Sequence, residues 1–428
     1  MAGNDRRETG PCVVVGAGPA GLMAAERLAR AGHSVVVHEA SASPARKFLL
    51  AGRGGLNLTH SEPIGAFLAR YGSAGERLRA AIEAFPPQAL RDWAAGLGEE
   101  TFVGTSGRVF PKSFKSTPLL RAWLRRLGDL GVELKPRSRF VGFAADGALR
   151  FAGASEEESV KPGAVVFALG GASWPRLGSD GGWVEAFEAA GLSVAPLKPA
   201  NCGFVVDWSA RIRRDFAGAP LKNVALSCGG AAVRGEAAVT EAGVEGGAIY
   251  ALSGLLRETI AAEGSAALAI DFKPDVAESA LAARLSRKPG QSVSTLLRKK
   301  AGLAPVAVAL MREAGPLPDD PAALARRVKL CALRLVAAAP LARAISTAGG
   351  VKWSEIDVDF MLIRRPGLLV AGEMIDWEAP TGGYLLQAAF ATGAAAGRAA
   401  ARWLGRSPAA SPVPPPVGIR RDSRSPVG

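Results

Sequence analysis

The sequence predicts an α/β fold of Rossmann type, interrupted by a β-barrel that itself carries a helical insertion. Three observations predict it. A strand–turn–helix–strand pattern with spaced glycines occupies residues 12–39, a region of short glycine-rich strands begins near 198, and a strand at 368–371 precedes a long Ala/Gly helix.

In chain order, residues 12–15 are a short apolar run ending in glycine, residues 19–31 follow with helical spacing, and 35–37 is a β-branched run. After a glycine-rich loop at 52–55, Ser116-Thr117-Pro118 reads as a capping hydroxyl ahead of an early helical proline, with the helix running to about Leu130. Short strands are expected at 132–134, 140–143 and 149–151, and one at 165–169 stops at Gly170-Gly171. From 198 the texture changes, with strands expected at 203–206, 224–228, 231–234, 247–250 and 268–272, which read as a small β-barrel or sandwich. Residues 275–338 read as helical, because Leu324, Val328, Cys331 and Leu335 step at three- and four-residue intervals. The expected division is therefore 1–197 and 353–405 for the Rossmann-type domain, 198–273 and 339–352 for the barrel, and 274–338 for the helical insertion. Residues 406–428, rich in Pro, Ser and Arg, are expected to be a disordered tail.

Composition narrows the class. A chain of 428 residues, 48% hydrophobic, has material for two or three cores. No apolar run reaches the roughly 18 residues a membrane span needs, and Asp5, Arg6, Arg7 and Glu8 precede any apolar stretch, so a soluble, cytoplasmic protein is expected. Cys12, Cys202, Cys228 and Cys331 are too dispersed for a disulfide framework or zinc site. The histidines, His33, His38 and His60, have no metal-binding spacing; His33 and His38 flank the second strand and are expected to be solvated. The net charge is +13, and residues 274–345 hold 12 Lys and Arg against five Asp and Glu. A solvated basic helical face is the preferred reading, with a nucleic-acid surface of RNA-modifying type at 284–300 and 326–343 as the alternative.

The first chemical motif is Val15-Gly16-Ala17-Gly18-Pro19-Ala20-Gly21, with Glu39 closing the second strand. Gly16 permits the tight turn, Gly18 lets the main chain approach a pyrophosphate, and Gly21 lets the helix lie close on the strand. The helix presents free amides and the positive end of its dipole to the phosphates, while Glu39 accepts from both ribose hydroxyls and repels a 2′-phosphate. NAD and FAD remain. The far end of the chain separates them: Gly372-Glu373 ends a strand and offers a carboxylate to a ribityl chain, and Gly382-Gly383 opens a helix whose amides suit a flavin pyrimidine. Ala389, Gly393, Gly397 and Ala400 give that helix one small, closely packable side.

These segments, together with 46–59, 107–111, 168–175 and 347–351, resemble the bacterial FAD-dependent oxidoreductases grouped with aminoacetone-oxidase-like and 3-dehydro-bile-acid Δ4,6-reductase-like flavoproteins. The resemblance spans about residues 11–403 and implies a FAD-binding, glutathione-reductase-like domain interrupted by a barrel with helices inside it. It implies that Ala40, Arg46 and Lys47 lie along the adenosine and pyrophosphate, that Val141 gives adenine a backbone contact, and that Ala168 and Gly170 line the cofactor. It places Gly372, Glu373, Gly383, Tyr384 and Leu385 near the ribityl chain and ring. Where the family usually reads Ser-Gly-Gly-Gly-Arg-Cys-Asn, this chain has Ala51-Gly52-Arg53-Gly54-Gly55-Leu56-Asn57, keeping Asn57 and the amides of Gly54 and Gly55.

Hydride transfer at a flavin requires positioning rather than a protein nucleophile, so the absence of a triad is no objection. No second Gly-x-Gly-x-x-Gly motif occurs, so NAD(P)H, if used, visits the flavin face transiently. The expected partner is a small organic substrate, held where the barrel and helical insertion meet the flavin. Tyr384, Lys112 and His60 are the candidate proton donors, none of them assigned.

Overall fold

The computed structural model describes residues 10–153, 156–286 and 290–405. A parallel sheet of five strands forms its centre: β1 (Cys12–Val15), β2 (Val35–Glu39), β3 (Glu133–Pro136), β4 (Ala164–Phe167) and β5 (Leu368–Val370), in spatial order β5-β4-β1-β2-β3. β1 and β4 pair with Val13 opposite Val165, and both are buried at every position. Such continuous apolar strands suit a sheet covered on both faces. The chain leaves β1 toward β2 and β3, then returns to the other side of β1 as β4. This reversal of direction opens a crevice at the carboxyl ends of β1 and β4.

Helix α1 (Pro19–Arg30) joins β1 to β2, α2 (Arg46–Ala51) follows β2, and α3 (Tyr384–Leu404) closes the described chain. α3 crosses α1 at main-chain distance. A Cβ added at Gly393 would overlap the carbonyl of Ala20, and one at Gly397 would press on Ala24. Beside this crossing, Glu26 of α1 is buried yet fully partnered. It accepts from the indoles of Trp93 (3.0 Å) and Trp123 (2.8 Å) and pairs with Arg30 (2.9 Å) and Arg126 (3.3 Å). A buried charge persists when its hydrogen bonds are satisfied in this way.

A second apolar cluster, drawn from residues between 202 and 344, lies apart from the Rossmann cluster. Its sheet has seven strands in the spatial order Cys331–Leu335, Ala266–Asp271, Pro220–Cys228, Ala231–Val239, Gly243–Glu245, Phe204–Val205 and Ala337–Ala338. The two edge strands are consecutive in the chain, and no ladder joins them among the described residues. Four helices, Glu278–Arg284, Val293–Lys300, Pro305–Glu313 and Pro321–Lys329, are inserted ahead of Cys331.

Several local expectations are corrected. Residues 247–250 form part of a helix, Gly247–Ala251, because Gly246 at φ +112° turns the chain and lets Ala248 and Ile249 bury on the sheet. Cys331 and Leu335 belong to a strand rather than a helix: the burial alternates, with Ala332 and Arg334 exposed between buried Cys331, Leu333 and Leu335. Their four-residue separation matches both the helical and the strand period. Ser116 is not a cap, since Lys115 holds that position and the Ser116 hydroxyl donates to the Leu49 carbonyl at 3.4 Å. The expected tail, 406–428, lies outside the described residues.

His38 is not solvated; it is 1% exposed, stacked on Phe151 at 3.9 Å, with Nδ1 2.8 Å from the Ser138 hydroxyl. Burial depresses its pKa to about 4, with Glu158 opposing and Lys135 reinforcing the shift. A group depressed on folding contributes stability above its unfolded pKa and loses it as the pH falls toward the folded value. The unfolding free energy is therefore expected to fall between about pH 6.5 and pH 4, more steeply in the wild type than in His38→Gln, as read from denaturant melts at each pH; equal slopes count against a neutral buried imidazole. In a second test, Gly393→Val is expected to cost about 2–4 kcal/mol in unfolding free energy, through overpacking at the α1–α3 crossing.

Candidate dinucleotide site and adjoining cleft

The three motif glycines have separate surroundings. Gly16 lies at φ +99°, and a Cβ there would overlap the Ala168 carbonyl; a Cβ at Gly21 would overlap the Gly16 carbonyl. At Gly18 a Cβ would meet nothing within 4 Å. The first and third glycines therefore close the β1–α1 turn, and the middle one faces open space. Gly18 is also the amino cap of α1 and supplies no side chain, so the first-turn amides remain free toward that space.

Glu39 is held at the rim by two main-chain donors, Ala17 N to Oε2 (2.9 Å) and Ser41 N to Oε1 (2.7 Å). The cleft runs past it in two directions. On the Glu39 side the wall is His38, Ala40, Ser138, Phe140 and a segment from Leu177 to Trp183. On the other side it passes Gly16, Gly18, Pro19, Ala20, Ala168 and Gly170, then Arg46, Lys47, Gly372 and Glu373, and reaches the first turns of α3 at Leu385. Lys47 bridges this end, donating to Glu373 Oε2 (2.7 Å) and the Ser173 hydroxyl (2.6 Å), while Glu373 Oε1 accepts from Thr347 N (3.0 Å).

The remaining sequence-derived positions lie off this lining. Ala17 and Gly21 are buried behind the turn, and Gly54, Gly55 and Asn57 sit on the loop after α2, where the Asn57 Oδ1 is buried without a hydrogen-bond partner. Val141 is 38% exposed; its predecessors Ser138, Arg139 and Phe140 face the cleft instead. Gly383, at φ +98°, caps α3 so close to Thr59 that a Cβ would come within 2.5 Å of its main chain. Tyr384 is turned away from the cleft: its hydroxyl donates to Glu62 Oε1 (2.6 Å), the Glu62 Oε2 pairs with Arg70 (2.8 Å), and burial with the Glu62 carboxylate pushes its phenol well up. His60 has both ring nitrogens engaged, by Ser106 O (2.9 Å) and Glu62 N (3.1 Å), and Lys112 is exposed and paired with Glu100. None of the three candidate proton donors lines this cleft. Sequence reasoning missed Ser138 and residues 177–183, which carry no motif and reach the site only by folding.

A dinucleotide fits these residues. The space in front of Gly18 is what a diphosphate needs, and Ser179 Oγ is buried on the lining with no hydrogen-bond partner of its own.

A second cleft, of about 660 Å³, opens where segments 70–74 and 376–380 meet segments 195–201 and 250–258. No residue of 274–338 lines it, so the helical insertion does not border this junction as expected. Arg257, nearly buried, clamps it by pairing with Glu378 (2.9 Å) and Glu258 (2.9 Å), and Glu258 also holds Lys198 (3.1 Å). Asn201 ties the two sides, donating to Ser346 Oγ (2.7 Å) and Ala379 O (2.8 Å) and accepting from Thr381 N (3.0 Å). Asp376 is the one carboxylate of this cleft whose side chain has no hydrogen bond or ion pair among the described residues, and burial together with Glu378 raises its pKa against the pull of Lys352 and Lys198. Next to it, Trp377 lines both clefts, its indole donating to Gly372 O (2.9 Å).

Fold and site together define a flavoprotein of the FAD-dependent oxidoreductase class. The chain belongs to the HI0933-like protein Rossmann domain family, whose profile matches residues 11–399. It is 26% identical over 408 residues to a 3-dehydro-bile acid Δ(4,6)-reductase of Clostridium scindens, covering 91% of this chain and 98% of that one. It is 24% identical over 394 residues to the ribosomal RNA dihydrouridine synthase of Escherichia coli, covering 89% and 95%. In fold it resembles a flavocytochrome c3 fumarate reductase (TM-score 0.51, 14% identity, 93% of this chain and 79% of that one). It likewise resembles a 3-ketosteroid Δ1-dehydrogenase from Sterolibacterium denitrificans (TM-score 0.50, 15% identity, 91% and 99%).

Because Gly18 faces open space, Gly18→Val is expected to fold normally and purify colourless, its side chain occupying the diphosphate position. Glu39→Arg removes the acceptor held by Ala17 and Ser41 and is expected to lose FAD likewise. The ratio of flavin to protein absorbance in each purified variant checks both, and full yellow colour in either counts against the site.

Proposed function

We propose that this protein transfers hydride between its flavin and a small organic molecule bound in the second cleft, with NAD(P)H or oxygen as the other redox partner. The single observation carrying this reading is Trp377, which lines the dinucleotide cleft and the interdomain cleft at once. Gly16, Gly18, Pro19 and Ala20 would hold the diphosphate, Glu39 the ribose, and Lys47, Gly372, Glu373 and Leu385 the ribityl end. FAD, when bound, supplies the two-electron chemistry by giving or taking a hydride. The chain's own task is to place the substrate and to manage the accompanying proton.

Asp376 suits the second task. Its carboxyl lines the substrate cleft beside Trp377, has no partner among the described residues, and is raised above the ordinary carboxylate range by burial and by Glu378, the direction a proton donor needs. A cleft of about 660 Å³ matches the size of a drug-like or polycyclic molecule. The reductase of Clostridium scindens is named for a substrate of that kind, which supports reduction of an activated C=C bond: hydride to one carbon, proton to its neighbour.

The RNA-modifying alternative draws support from the E. coli relative and the positive charge. Part of that basic surface is engaged within the chain: Lys329 pairs with Asp271 (2.6 Å), Arg326 with Glu278 on the surface (3.6 Å), and Arg327 donates to the Met311 carbonyl (3.2 Å). Small-molecule chemistry remains the better-supported reading.

Anaerobic mixing of the yellow protein with NADH, NADPH, cyclic enones and amines should bleach the flavin band with a reductant and restore it with an enone. Asp376→Asn should retain FAD and reductive bleaching but slow enone-dependent reoxidation by about 10²-fold or more, the scale of a lost general acid. The wild-type rate should fall as pH rises through the elevated Asp376 pKa, and the variant should lack that limb. An unchanged profile in the variant rejects the role of Asp376; flavin inert to every small molecule but reactive with RNA rejects the substrate class.

A further inference from the structure

A third cleft, of about 510 Å³, opens at the end of α1 opposite to the dinucleotide. Four guanidinium groups line it: Arg27 and Arg30 of α1, Arg126, and Arg398 of α3. Two acids line it as well, and both are committed. Glu26 is shared by Arg30, Arg126 and two indoles, and the Trp93 indole, Arg30 and Arg126 hold its carboxyl below the ordinary range despite burial; Asp92 accepts from the Gln88 amide at 2.7 Å.

Arg27 and Arg398 are left over. Neither has a hydrogen bond or ion pair among the described residues; Arg27 contributes only a cation–π contact, 5.4 Å above Phe85, and its Nε is buried without a partner. The close α1–α3 crossing brings them together, since a Cβ on Gly397, the neighbour of Arg398, would lie 2.9 Å from the Arg27 Cβ. Burial works against both charges. That of Arg398 is further opposed by Arg27 and Arg402, and that of Arg27 is opposed by Arg30 and favoured by Glu26. Complementing a helix dipole accounts for Arg27 and Arg30 in the last turn of α1, but Arg398 stands inside α3, short of its last turn. Half-buried, adjacent and unpaired guanidinium groups incur a desolvation cost that an anion would offset.

We propose that this cleft binds a small phosphoryl anion, of the pyrophosphate or nucleoside-diphosphate class. Two guanidinium forks from α1 and α3 provide several N–H donors in a geometry suited to phosphate oxygens, and the concavity is of a size for a compact ligand rather than for an extended polyanion. The site is separate from the dinucleotide cleft and does not depend on the reaction assigned above.

The test is calorimetric titration of FAD-saturated protein with inorganic pyrophosphate, with ADP, and with a short single-stranded RNA at one ionic strength. Pyrophosphate or ADP should bind one equivalent, and Arg398→Gln and Arg27→Gln should each weaken that binding at least tenfold while bound FAD, read at the flavin band, stays constant. Arg398→Lys, which keeps the charge and loses the fork, should fall between wild type and Arg398→Gln. Binding that is undetectable, or equal in all variants, or seen with RNA alone overturns the proposal. Should a glutamine variant lose its flavin, the lysine variant and the salt-matched wild-type titration still decide.

Discussion

The constraint on which the structure depends is the approach of main chain to main chain around α1. At its first turn Gly21 lies against the Gly16 carbonyl and Ala20 against Gly393 of α3, and one turn further on Ala24 lies against Gly397. No side chain separates these backbones. The position of the α1 amino end relative to β1 and β4 is therefore set by hard contacts rather than by adjustable packing, and the free amides that face the open space in front of Gly18 inherit that precision.

From this constraint the rest of the flavin machinery follows in space. α3 is anchored on α1 and carries Leu385 and Leu386 to the cleft, while the turn before it rests on Thr59. The Lys47–Glu373 pair joins α2 to the segment after β5 across 326 residues of sequence, closing the cleft at the end nearest α3. Asn201 and Arg257 perform the corresponding service at the second cleft. Their hydrogen bonds run to the 378–381 segment, so the antiparallel sheet is registered on the same stretch of chain that supplies Asp376 and Trp377. The two clefts adjoin because one short segment serves both.

The buried cysteines illustrate how packing sets chemical character. All four are free and buried, and burial pushes the thiols of Cys12, Cys202 and Cys331 up to about 11, which leaves them as packing groups. His38 is changed in the opposite sense, from an expected surface base to a neutral ring stacked in the core.

By itself the sequence determined the βαβ unit, the glycine pattern, Glu39 and the small-residue face of α3, because each depends on chemistry within a few residues: a glycine without a Cβ, a strand with period two, a helix with period 3.6. Where two periods coincide, as for Cys331 and Leu335, or where a glycine redirects the chain, as at Gly246, local pattern was ambiguous and tertiary burial chose. Tertiary structure also decided that Phe140 and residues 177–183 rather than Val141 face the cleft, that Tyr384 spends its hydroxyl on Glu62, and that Asp376 stands unpaired beside Trp377. These outcomes depend on which distant side chains arrive within about 3 Å of one another, and hydrogen bonds and burial act only at that range.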